Sequence, residues 1–193
     1  MFFAEDRIKA VREMICARTV EERKVALAKV EPFQQSDFEA MYRIMGDRPM
    51  TIRYLDPPLH EFVPHQTATQ KELAEKLGLT LEEVKAKVDS LEEFNPMLGH
   101  RGCRLGITYP EITEMQTRAI IEAALAVKAR GIDVHPEIMI PLVGSLKEIQ
   151  NQADVINITA AKVFEEAGCS VPYKVGTTVS YTHLRAHETR GNL

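Results

Sequence analysis

Three arginines stand where the chain could present them to an anion. Arg53 lies in Thr51-Ile-Arg-Tyr-Leu-Asp-Pro-Pro-Leu-His-Glu-Phe62, and Arg101 and Arg104 lie in Asn95-Pro-Met-Leu-Gly-His-Arg-Gly-Cys-Arg-Leu105. Each segment joins a β-prone stretch to a Pro- or Gly-rich turn crowded with polar side chains. A guanidinium is a planar fork of donors that matches a phosphate or a carboxylate. Two such segments point to a phosphorylated, acidic small molecule as ligand.

The residues around the arginines admit more than one reading. Arg53 is either an outward-facing arginine on an edge, or one paired with nearby Asp56, or an inward one at the mouth of a barrel that touches phosphate. Asp56, His60 and Glu61 follow it. Asp56 can cap a backbone amide in a rigid turn, or it can hold the arginine in place with His60 and His100 as further supports. Metal ligation by Asp56 and Glu61 ranks lower, because the loop carries Pro57 and Pro58 and no second carboxylate at helical spacing. In Gly99-His-Arg-Gly-Cys-Arg104, two glycines let the backbone approach a ligand, and a plain turn needs neither arginine. Cys103 could be a nucleophile, but its position at the start of a predicted strand favours a small buried thiol. His65, His135, His183 and His187 form no convincing metal-ligand spacing; only His183 and His187, four apart, could share a helical face.

These groups need elements to hold them. Ile8, Val11 and Ile15 predict one helical face over residues 5–17. A second helix is predicted from Val20 to Lys29, and a third from Gln34 to Met45, with Pro32 breaking them apart. Met50–Leu55 reads as a short strand closed by Pro57-Pro58, and residues 56–68 as a loop. Gln70–Leu77 is a helix ended by Gly78, and Thr80-Leu-Glu-Glu83 is a capping box opening another to Glu93. Asn95–Gly102 reads as a loop and Cys103–Thr108 as a brief strand. Pro110 opens a long helix that Gly131 stops. Val134–Val143 holds Ile138-Met-Ile140, a run of the kind buried on both faces. Ser145-Leu-Lys-Glu148 caps a helix to Ala167, and Tyr173–Val179 is the last strand. Alternating strands and helices predict an α/β protein with a parallel sheet. No Gly-x-Gly-x-x-Gly follows a strand, which argues against dinucleotide binding. Polar clusters at strand C-termini suit a (β/α)8 barrel, but four strands are too few to close one. The expected fold is an incomplete (β/α)8 barrel with parallel strands, in which inner residues such as Ile138 and Ile140 are partly uncovered.

Bulk properties narrow the class. A chain of 193 residues can hold one domain with a real core. The net charge of −4 with scattered basic residues argues against nucleic-acid binding. No apolar run can span a bilayer, and Met1-Phe-Phe-Ala-Glu-Asp-Arg7 lacks the layout of a secretion signal. Cys16, Cys103 and Cys169 are odd in number and unclustered, which predicts a reducing, cytoplasmic setting.

The two arginine segments, with Thr108-Tyr-Pro-Glu-Ile112 and Pro136-Glu-Ile-Met-Ile-Pro-Leu-Val143, resemble the pyruvate, phosphate dikinase family in its C-terminal domain, which binds phosphoenolpyruvate (PEP) and pyruvate. The resemblance runs from Met1-Phe-Phe3 to Gly176-Thr177. PEP synthases and enzyme I of the sugar phosphotransferase system share the barrel and the arginine positions. They differ in the Pro-Pro-Leu-His-Glu-Phe turn and in His-Arg-Gly-Cys-Arg, so they stand as alternatives. The resemblance implies a barrel mouth that holds PEP with Mg2+, and a swivelling phosphohistidine domain that visits it. The whole enzyme would be a homodimer that interconverts ATP, phosphate and pyruvate with AMP, diphosphate and PEP. Phosphoryl transfer rests on positioning and charge neutralisation, which fixed guanidinium groups supply. By resemblance, Arg53 contacts the phosphoryl group and the Arg101–Arg104 segment lines the same pocket. Spacing leaves open which of Arg101 and Arg104 points inward.

The departures from the family pattern carry their own expectations. The family has a further phosphate-binding arginine, in an Arg-Thr-Glu-His stretch, just before the position of Met1. After Gly176-Thr177 it continues to a metal-binding Glu, where this chain reads Thr178, Val179 and Ser180. Serine is a poor Mg2+ ligand. The family's Asn-Asp metal pair and its proton-donating Cys come later still. Residues 1–179 are therefore expected to be part of a PEP/pyruvate-binding barrel domain without its Mg2+ ligands, inactive by itself. Residues 180–193 are polar, lack apolar periodicity and read as a non-native tail. The alternative of another class is a non-catalytic module that binds phosphorylated acids or self-associates through an open last strand. A barrel lyase would also need carboxylate-held Mg2+, and the arginine motifs do not favour it.

Overall fold

The computed structural model describes residues 5–64, 66–91 and 99–178. Its helices are α1 (Glu5–Cys16), α2 (Val20–Met45), α3 (Thr67–Leu77), α4 (Leu81–Leu91), α5 (Cys103–Thr108), α6 (Pro110–Lys128) and α7 (Leu146–Ala167). Its strands are β1 (Pro49–Arg53), β2 (His135–Ile140) and β3 (Lys174–Thr177). The described residues fall into two compact units, those within 1–30 and 57–101 and those within 31–56 and 102–193. Among the described residues no helix is long and apolar enough to cross a membrane.

The first unit is helical. Val84 and Val88 of α4, Phe62, and Val11, Met14 and Ile15 of α1 are buried in it. Thr80 and Glu83 form the expected capping box: the Glu83 amide donates to Thr80 Oγ1 at 3.2 Å, and Glu83 accepts from the Thr80 amide at 2.7 Å. Gly78 ends α3 in the left-handed conformation that glycine takes most readily.

The second unit is an α/β layer with a three-stranded sheet in the order β1-β2-β3. Both pairings are parallel, with Ile52 opposite Ile138 and Ile138 opposite Val175. Parallel strands need crossovers, and α6 and α7 provide them. Met50, Ile52, Ile138 and Ile140 join α6 and α7 in one core with Ile120, Ala124, Ile156 and Ala160. The opposite face carries Thr51, Arg53, Glu137, Met139 and Lys174, all exposed or half-buried. Residues two apart on a strand share a face, so this division follows from the sequence parity.

Four expectations change. Pro32 does not separate two helices, because α2 runs unbroken through it. The missing amide costs a hydrogen bond, but each flank is anchored by its own buried residues, Ala26, Leu27 and Val30 before it and Phe38 and Tyr42 after it. Cys103–Thr108 is a helix rather than a strand, which leaves three strands in the described sheet. Its burial falls on Cys103, Leu105 and Gly106, a helical spacing that packs against α6 and α7. Ile138 and Ile140 are each only 1% exposed, because the helix layer, not a lumen, covers them. Met139 between them is half-buried, so the run alternates instead of being buried on both faces.

Candidate functional site

Arg53 is the last residue of β1 and points, with Thr51, to the face that the helices leave open. Its Nη1 lies 3.5 Å from Asp56 Oδ2, with the arginine side chain 57% exposed and the carboxylate 10%. The carboxylate is thus set into the protein and the guanidinium reaches out from it. The turn between them is held by main-chain bonds. The Tyr54 amide donates to the Met139 carbonyl at 3.0 Å, which extends the β1–β2 ladder by one residue. The Leu55 amide donates to Gln116 Oε1 at 2.9 Å. The Tyr54 hydroxyl pairs with Thr117 Oγ1. Pro57 and Pro58 have no amide proton with which to prolong the strand.

One row further from the strand ends, the open face carries a polar ladder. Thr51, Glu137 and Lys174 stand side by side in register. Thr51 Oγ1 donates to Glu137 Oε2 at 2.8 Å, and Lys174 Nζ donates to Glu137 Oε1 at 3.1 Å. These two bonds, Thr51 first, hold the Glu137 carboxyl below its ordinary range. The next row is Arg53, Met139 and Gly176. Sequence reasoning did not single out Glu137 or Lys174; their alternation with Ile138 and Val175 was the available signal.

At the C-terminal end of β2 the chain turns through Leu142 with φ of 59°, a left-handed conformation that is rare for leucine. Gly102 lies against it. A Cβ on Gly102 would fall 3.0 Å from Leu142 Cδ1, and Gly102 itself has φ of +57°. Only glycine fits both demands. The Cys103 amide then donates to the Pro141 carbonyl at 3.0 Å, which seats α5 on this corner.

The predicted site residues therefore separate. Arg53, Asp56 and Arg104 belong to the α/β unit, and His60, His100 and Arg101 belong to the helical unit. The ion pair joins Arg53 and Asp56. Arg104 is half-buried in the first turn of α5, beside Cys103. Arg101 and His100 are half-buried in the segment before Gly102. His60 lies in a single 3-10 turn, Leu59–Glu61, where its Nδ1 is buried without a hydrogen-bond partner. Cys103 is 1% exposed, as expected of a small buried thiol. Burial, and then the nearby Glu148 carboxylate, push its pKa up to about 11, with Arg104 opposing them. His65, Asn95, Ser180, His183, His187 and the tail lie outside the described residues. A cleft of about 440 Å3 opens in the helical unit between Cys16, Arg18, Glu21 and Leu79, and none of the predicted site residues lines it. Among the described residues no group of three His, Cys, Asp or Glu side chains could hold a metal ion.

Residues 1–184 match the family described as PEP-utilising enzyme, PEP-binding domain. The pyruvate, phosphate dikinase of Clostridium symbiosum is 58% identical over 180 residues, which cover 93% of this chain and 21% of that protein. Pyruvate, phosphate dikinase 1, chloroplastic, of Arabidopsis thaliana is 55% identical, over 93% of this chain and 19% of its own length. Pyruvate, phosphate dikinase 2 of Zea mays is 52% identical, over 93% and 21%. The chain thus spans about a fifth of the length of these relatives. One of them is named as chloroplastic, and the cytoplasmic expectation gains no support from it.

Proposed function

The chain belongs to the PEP-utilising enzyme family, matching its PEP-binding domain, and on that premise we propose that it supplies arginines of the PEP/pyruvate site of a pyruvate, phosphate dikinase. The names of its relatives favour that enzyme over a PEP synthase or a phosphotransferase-system enzyme I. The sheet is then an arc of a (β/α)8 barrel, with the helix-covered face outward and the face of Thr51, Arg53 and Glu137 inward. Substrate sites of such barrels lie at the C-terminal ends of the strands, which is where β1 delivers Arg53.

The observation that carries the reading is the Arg53–Asp56 arrangement. The carboxylate lies 3.5 Å from one guanidinium nitrogen, and more than half of the arginine side chain remains open. An arginine with an acidic neighbour on one side still has donors on the other for phosphate oxygens. Arg53 takes the phosphoryl group, and Asp56 orients it. Arg104, of the same unit, serves the same ligand. In the complete enzyme, the reaction would join ATP, phosphate and pyruvate to AMP, diphosphate and PEP through a phosphohistidine domain in a homodimer. Mg2+ would assist by neutralising charge, and among the described residues no group of three His, Cys, Asp or Glu side chains could hold it.

Calorimetric titration of the chain with PEP tests the arginine's role. Binding is expected, and Arg53→Ala is expected to weaken it by about ten- to a hundredfold, the range for losing a charge-assisted hydrogen bond. Equal affinity in the variant would remove Arg53 from the site.

A further inference from the structure

α6 buries Thr113, Gln116 and Thr117 at 2%, 3% and 0% exposure. Burying a polar side chain is unfavourable unless it is hydrogen-bonded. Thr113 Oγ1 donates to Gln152 Oε1 of α7 at 2.8 Å, and Thr117 Oγ1 donates to the Thr113 carbonyl at 2.7 Å and pairs with the Tyr54 hydroxyl. Gln116 reaches the main chain two residues after Arg53. Its Oε1 accepts from the Leu55 amide at 2.9 Å, and its Nε2 faces Gln34 Oε1 at 3.5 Å.

The Leu55 amide needs that partner. Successive amides on a strand point to opposite edges. The Tyr54 amide points to β2, so the Leu55 amide points away from it, on the side where β1 has no described neighbour. We propose that Gln116 is a positioning residue for Arg53: it substitutes for a strand at this one amide and so fixes the turn that brings Asp56 back under the guanidinium. The proposal rests on the reading of Arg53 as the phosphate-contacting arginine. A simpler role, that of filling the core, would need only the volume of Gln116 and not its acceptor.

Two variants separate these roles. Gln116→Met keeps the volume and removes the acceptor. Gln116→Glu keeps an acceptor for Leu55, and Gln34 can turn its amide to meet the new carboxylate. The Gln34 Nε2 is now buried without a partner, and that donor suits a carboxylate. NMR of the full 193-residue chain reads amide exchange at Leu55 and the side-chain Nε resonance of Arg53, both without ligand; calorimetry reads PEP affinity. In Gln116→Met, we expect faster exchange at Leu55, a displaced Arg53 resonance and about tenfold weaker PEP binding, equivalent to about 1.4 kcal/mol. In Gln116→Glu, all three should return towards the wild type. An unmoved Arg53 resonance in Gln116→Met, or the same losses in both variants, overturns the proposal. If Gln116→Met does not fold, Gln116→Glu decides: an Arg53 resonance and Leu55 protection like those of the wild type support it, and their loss overturns it. Should wild-type chain fail to bind PEP, the ligand reading falls, while the two ligand-free signals still judge the role of Gln116.

Discussion

Arg53 ends a strand whose residues alternate between a covered and an open face, whereas Arg104 sits in the first turn of a short helix held against α6 and α7. On β1 the direction of the arginine is settled by parity. Met50 and Ile52 are drawn into the core, so Thr51 and Arg53 must face the other way. On α5 the anchors are Cys103, Leu105 and Gly106, and Arg104 takes the direction that their packing leaves. The first arrangement depends on one simple periodicity, the second on the fit of several elements. An arginine presented by parity is settled once the core face of its strand is known; one presented by packing is not.

Substitutions can break this contrast. The largest effect is expected from Ile52→Ala, which should lower unfolding free energy by about 2–4 kcal/mol by opening a cavity under β1. Thr51→Ala, one residue away on the open face, should cost no more than about 1 kcal/mol, the scale of its one bond to Glu137. Denaturant unfolding of both variants checks the pair, and equal losses would mean that the faces are not distinct.

Gly106→Ala probes the second arrangement. The added Cβ would lie 2.3 Å from Gln152 Oε1 and 2.7 Å from Thr113 Oγ1, so the bond between those side chains must give way. A loss of about 1–3 kcal/mol is expected, as for overpacking elsewhere. A variant as stable as the wild type would argue against the helical seat of α5.

A smaller, chemical effect concerns Cys103. Its raised pKa means that the thiolate is scarce at neutral pH and grows only as pH climbs towards about 11. Alkylation of Cys103 should therefore be much slower than that of exposed Cys169 at pH near neutrality, and should accelerate with rising pH. Mass spectrometry of labelled chain reads both rates. Faster labelling at Cys103 would revive the nucleophile reading set aside above.

What was legible follows the same division. The strands at 49–53, 135–140 and 174–177 were legible as β-prone runs, but the alternation within Ile138-Met-Ile140 was not. The capping boxes at Thr80–Glu83 and Ser145–Glu148 needed only four residues to be recognised, and Ser145 Oγ does accept from the Glu148 amide. Pro32 and the Cys103–Thr108 run misled, because in both cases contacts distant in sequence outweigh local preference. Gln34, Gln116 and Gln152 were invisible for a related reason. A glutamine on a helix normally reads as solvent-facing, and only the fold shows that these three are buried with polar partners. Within the candidate site, the Arg53–Asp56 pair was anticipated as one of two readings, but not the buried amide behind it.

The central claim is that Arg53, held at the open end of β1, takes the phosphate of PEP. Nitrogen-detected NMR of arginine side chains during a PEP titration tests it directly, with Arg118 as an internal reference. Arg118 is already engaged by Glu31, Glu122 and Glu166. A saturable displacement of the Arg53 Nε resonance is expected while that of Arg118 stays in place. Binding of PEP that leaves Arg53 unmoved would contradict it.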